Sequence, residues 1–190
     1  MLLTLAMGAC GDDDNEDVDI IIDEGQANGF ALAAMADTEL GPQTVAISEA
    51  MAGHILITVD QGEIQQADVA LDRLDESETI RYANHMIEDH QPHIDLVLSV
   101  LDQDRLDPID NEVSAMLRAN AEAGVRDIQA SGDPDVTYMQ WQIRMHEAAS
   151  IVTERLLEHV EDPEMDALLL QTLDIIDGHR QEAIALYRDL

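Results

Sequence analysis

The chain reads as all-α: an antiparallel four-helix bundle with a short extra connecting helix. Three observations predict this. Apolar residues recur at three- and four-residue spacing through most of the sequence after Pro42, as they do on one face of a helix. Aspartate–proline pairs punctuate that pattern at Asp107-Pro108, Asp133-Pro134 and Asp162-Pro163. Each sets an N-cap acceptor before a proline whose missing N–H costs nothing in a first turn. Finally, the apolar residues are aliphatic, with only one Phe, one Trp and three Tyr, which suits packed helices better than a sandwich of strands.

These signals divide the chain into helices near residues 43–73, 76–103, 109–130, 134–160 and 164–188. In the first, Ile55-Leu56-Ile57-Thr58-Val59 is the only stretch with strand-like composition, and a helical pattern surrounds it. The second opens at Asp75-Glu76-Ser77-Glu78, which has the spacing of a capping box with Asp75 in the Ser/Thr place. The third is the weakest: Gly124 lies inside it and Ser131-Gly132 follow, so it serves as the connection between two helical hairpins. The fourth and fifth carry proline in the first turn, at Pro134 and Pro163.

Ahead of this domain, assigned to residues 42–190, two further segments are expected. Residues 1–10 have the look of a lipoprotein-type signal segment, in which the apolar run Leu2–Ala9 ends at Cys10, the residue that would be acylated. No basic residue precedes the run, which departs from the usual signal. Residues 11–41 read as an acidic disordered linker, since eight of the fourteen residues from Gly11 to Glu24 are acidic and Gly25, Gly29 and Gly41 follow; a short helix around Phe30–Asp37 fits within it. With Cys10 the single cysteine, no disulfide forms within the chain. The expected address is the bacterial cell envelope, at the outer membrane or periplasm, with the membrane reached only through the lipid.

The charge narrows the field of partners. Acidic residues number 41 against nine basic ones, all of them Arg, for a formal net charge of −32. Such a field repels nucleic acid and anionic lipid and draws cations. It is also what adaptation to a saline habitat produces.

Chemistry enters through four residues. Glu63, His90, His146 and His179 each sit at the centre of the apolar stripe of a different long helix. Buried ionisable groups are costly unless paired or bound to metal. At about 1.5 Å of rise per residue, the two members of each hairpin fall within roughly one turn of the same height, so the four can converge. Three imidazoles and a carboxylate suit one divalent transition metal such as zinc, copper or iron. Gln66, Gln142 and Glu182 are placed to orient the imidazoles. His54, His85 and His159 fall on outward faces, and His93 reads as a boundary residue of the second stripe. Met86 and Met139 share faces with the histidines and read as core filler. Trp141 points away from them, under the connecting helix. Gly178, beside His179, either allows a close helix approach or is simply tolerated.

Several segments resemble an uncharacterised bacterial family, domain of unknown function 4142. Arg81-Tyr82-Ala83-Asn84-His85-Met86-Ile87-Glu88-Asp89-His90 is similar to its "A-x-x-M-I-x-D-H" segment. Glu63-Ile64 with Ala70-Leu71, Asp135-Val136-Thr137-Tyr138 with His146, and Ile176-Asp177-Gly178-His179 with Ala183 resemble three others, in consistent order over about residues 45–188. The resemblance implies a ferritin-like bundle, often exported, and no established activity. A di-iron centre is not expected, because the residues three before His90, His146 and His179 are Ile87, Ile143 and Ile176 rather than glutamates.

Three functions remain open from the sequence. The leading one is an envelope lipoprotein that binds one metal ion in its core and is not an enzyme. The alternative is a metal-free interaction or stress module with a buried Glu–His hydrogen-bond network. The last is a metal-dependent oxidoreductase, which no nucleophile–base pair or dinucleotide fingerprint supports.

Overall fold

A computed structural model describes residues 47–190. The apolar run, Cys10, the acidic tract, the short helix around Phe30–Asp37 and Pro42 lie outside the described residues. Within them the chain forms α1 (Glu49–Leu71), α2 (Ser77–Gln103), α3 (Glu112–Ala130), α4 (Pro134–Leu157) and α5 (Pro163–Asp189), and no strand is present among the described residues. The Ile55–Val59 run stays helical inside α1. Hairpins α1–α2 and α4–α5 pack into the antiparallel bundle, while α3 lies along α1 and touches α4. None of these helices is long and apolar enough to cross a membrane.

The caps show where sequence punctuation worked and where it did not. Asp133 accepts from the Val136 N–H, and Asp162 accepts from Glu164 and Met165, both ahead of a first-turn proline. Asp107-Pro108 does not open α3; Asn111 does, in a reciprocal capping box with Ser114. Nor does Asp75 cap α2. The N-cap there is Glu76, whose side chain makes no capping bond. The carboxylate of Asp135, from the first turn of α4, instead accepts the N–H of Asp75 at 3.0 Å and of Glu76 at 3.1 Å. The acceptor for those otherwise unpaired donors thus comes from the other hairpin. At the far end of α3, Arg73 donates to the carbonyls of Gln129 and Ser131, a cation set against a helix C-terminus.

Two apolar clusters fill the core. One gathers Leu56, Val97, Leu101, Val152, Leu156 and Leu169; the other gathers Tyr82, Met86, Ile128, Tyr138, Met139 and Trp141. The polar residues predicted to converge lie at their junction. His90 falls between Met86 of the second cluster and Ile94 of the first, and His179 between Ile176 of the first and Ala183 of the second. A polar layer thus separates two dry ones.

Candidate metal centre

All four predicted residues are buried: Glu63, His90, His146 and His179. The three imidazoles come together. One ring nitrogen from each lies within 4.8 Å of the other two, and ring centroids are 6.2 Å apart for His90–His146, 5.4 Å for His90–His179 and 5.4 Å for His146–His179. Glu63 stands outside that group, although near enough to feel the His90 charge. The four-ligand centre read from the stripes therefore narrows to three imidazoles with a carboxylate beyond them.

The hydrogen bonds of the rings all point outward. Nδ1 of His90 lies 2.8 Å from Asp60 Oδ1, and Nδ1 of His146 donates to the Gln142 carbonyl at 2.8 Å. Nε2 of His179 lies 3.0 Å from Asp89 Oδ2. The remaining nitrogens, His90 Nε2, His146 Nε2 and His179 Nδ1, are buried without a hydrogen-bond partner, as is Glu63 Oε1. A neutral imidazole carries one N–H, and in each ring that hydrogen is committed to an outer acceptor. Each ring is left with one unpartnered nitrogen, and Glu63 with one unpartnered oxygen.

Electrostatics treat the rings unequally. Burial, and next the His90 charge, pushes His146 down to about 3, so its ring is neutral. Burial also lowers His179, against the pull of Asp89. His90 runs the other way: burial opposes its charge, but the Asp60 hydrogen bond and the charges of Asp60, Glu63 and Asp89 together raise it. Burial lifts the Glu63 carboxyl to about 7, in spite of His90 and a 2.7 Å hydrogen bond from Gln142 Nε2 to Oε2.

Among the residues expected to orient the rings, Gln142 holds both Glu63 and His146, and Gln66 reaches Gln142 at 3.4 Å. Glu182 does not serve His179. It faces His85 at 3.7 Å and Arg81 at 3.6 Å, because one more helical turn carries it past the layer toward the surface. Sequence reasoning missed Asp60, which is buried and bridges His90 and His93, each at 2.8 Å. His93 is accordingly more than a boundary residue: its other nitrogen lies 2.9 Å from Thr172 Oγ1. The signal was available, since Asp60 precedes Glu63 by three and His93 follows His90 by three. Asp89 was missed as well. His54 and His85 are partly exposed and His159 is exposed, as their outward positions predict. Trp141 lies beneath α3, beside Gly124. A Cβ at Gly178 would meet nothing within 4 Å, so that glycine serves no close approach.

A comparison with curated proteins finds no match. Among solved structures, a DUF305 fragment from Deinococcus radiodurans is similar, with TM-score 0.66 and 16% identity over 75% of this chain and 96% of that one. CopM in its Cu(II)-bound form follows with TM-score 0.61 and 17% identity over 75% of this chain and 97% of that one, and in its Ag-bound form with 0.59, 17%, 75% and 96%. At such identities the likeness shows the fold alone. The model of the family described as Domain of unknown function (DUF4142) matches residues 33–186, and the chain belongs to that family.

Proposed function

We propose that the protein binds one divalent transition-metal ion in its core through His90 Nε2, His146 Nε2 and His179 Nδ1, with Glu63 beside the position those ligands leave open. One observation carries this reading: three buried imidazoles whose ligand atoms lie within 4.8 Å of one another, each with a ring nitrogen that has no hydrogen-bond partner. Unpaired buried acceptors are expensive, and acceptors facing one another repel. A cation removes the cost. The tied outer nitrogens give each ligand the outer hydrogen bond that metal-bound imidazoles ordinarily have, from Asp60, the Gln142 carbonyl and Asp89.

Imidazole-rich sets hold copper(II) and zinc best among common divalent ions. The Cu(II)- and Ag-bound forms of CopM, on a similar fold, support copper as the first ion to try. A metal-free network has one observation in its favour, the raised pKa of His90. Protonated, its Nε2–H can satisfy one neighbouring ring, which still leaves the other without a donor.

The test is titration of dialysed protein with Cu(II) and Zn(II). One equivalent binds, and at about 100 times the dissociation constant the folded state gains about 2.7 kcal/mol, read as a rise in Tm. His146→Ala cuts the rise sharply. Wild-type protein whose Tm ignores both ions sinks the reading.

We propose further that the protein works at the bacterial envelope, anchored by an acylated Cys10. The apolar run Leu2–Ala9 with small Gly8 and Ala9 before the cysteine supports this, as does the acidic tract suited to a tether. Incorporation of labelled palmitate that survives Cys10→Ser rules the anchor out.

A further inference from the structure

We propose that His85 and Asp89, with Glu182 behind the His85 ring, form an outer cation site that shares His179 with the core centre and loads it. This rests on the core reading above. His85 and Asp89 occupy successive turns of α2, and His179 and Glu182 successive turns of α5, so four donors line one flank of the bundle. Ligand atoms of His85, Asp89 and His179 lie within 4.8 Å of one another. Asp89 Oδ2 is 3.0 Å from His85 Nε2 and 3.0 Å from His179 Nε2, and His85 Nδ1 is 3.7 Å from Glu182 Oε2.

The outer residues are open to solvent: the side chain of His85 is 45% exposed and that of Asp89 41%, against 7% for His179. His179 is the hinge between the two sites. Its Nε2 faces the outer group, while its Nδ1 is buried without a hydrogen-bond partner, and the ring belongs to the core group with His90 and His146 as well. A neutral ring has one N–H, so it can give a lone pair to one side at a time. With the hydrogen on Nδ1 the ring serves the outer ion. With it on Nε2, donated to Asp89, the ring serves the core. The ring keeps one hydrogen throughout, and the ion passes from a hydrated site with carboxylates to a dry one with imidazoles.

Arg81 opposes a cation here, since it lies 3.6 Å from Glu182, but its shorter pairing is with Glu78 at 2.7 Å. The surrounding negative field favours capture, and such fields raise association rates by about 10-fold or more.

Cobalt(II) is the probe, because its visible bands separate a four-coordinate imidazole site from a hydrated one. In stopped-flow, His85→Ala slows the appearance of the core spectrum about tenfold while leaving its final amplitude unchanged. An unchanged rate overturns the loading role. At equilibrium, His146→Ala retains a weaker Co(II) site, and adding His85→Ala weakens it at least about tenfold more. Equal binding by the single and double variants overturns the outer site. His146→Gln replaces His146→Ala if the latter fails to fold. Should wild-type and His146→Ala bind Co(II) identically, the core reading fails, and the His85→Ala comparison still decides the outer site.

Discussion

Helix α1 carries buried polar groups on two sides, and the two sides are built differently. Toward α3, Gly62 and Gly124 bring backbones close: a Cβ at Gly62 would lie 2.9 Å from the Ala121 Cβ, and one at Gly124 would collide with the Gln66 side chain and lie 3.1 Å from Trp141 Cδ2. Gln66, one polar group on that side, is used by its neighbours, donating to the Ala121 carbonyl at 3.4 Å and accepting from Gln142. Toward the bundle axis, Glu63 and the histidines also have partners, but each keeps one buried atom without any, and the three imidazoles converge. Burial of polar groups is common to both. Convergence of the unpaired ones distinguishes the centre from the seam.

Perturbing each side separately tests that distinction. The largest effect is in pH. Glu63 rises from 4.5 in the unfolded chain to about 7 in the fold, so the unfolded state releases that proton first as pH climbs. Its contribution to the metal-free protein is complete below pH ~4.5 and lost through pH ~7, a change of about 3 kcal/mol. His146, lowered to about 3, has the opposite slope: its contribution is present above pH ~6.5 and lost as pH falls toward ~3. Glu63→Gln removes only the first. Denaturation across pH 5–8 then shows the variant gaining on wild type as pH rises; parallel curves would mean that Glu63 is not held protonated by burial.

Asp60→Asn comes next. It takes the charge from between His90 and His93 and weakens metal affinity about 10- to 100-fold at unchanged stoichiometry, measured by calorimetry. Gly124→Val is the smallest. It crowds Gln66 and Trp141 and costs about 1 kcal/mol of stability with affinity intact. If it weakens affinity as much as Asp60→Asn does, seam and centre are one unit.

The fold was legible because its signals are local. Apolar periodicity set five helices, and Asp133-Pro134 and Asp162-Pro163 set two of their starts. The start of α2 was misread for the converse reason: its acceptor, Asp135, lies about sixty residues away in sequence. In the site, the imidazoles stood out because three of only seven histidines lie on apolar stripes. Asp60 did not, because one buried aspartate is hard to see among 41 acidic residues. Asp89 and Glu182 depend on which side chains meet across α2 and α5, and spacing along one helix carries no such information.

The Asp135 carboxylate has a consequence for the way the molecule comes apart. A helix whose opening turn is tied by its own cap frays locally, but here the amide hydrogens of Asp75 and Glu76 are held by the other hairpin. Their exchange with solvent deuterium is therefore coupled to the contact between the two hairpins, so a helix terminus, ordinarily a place of local fraying, reports on that contact.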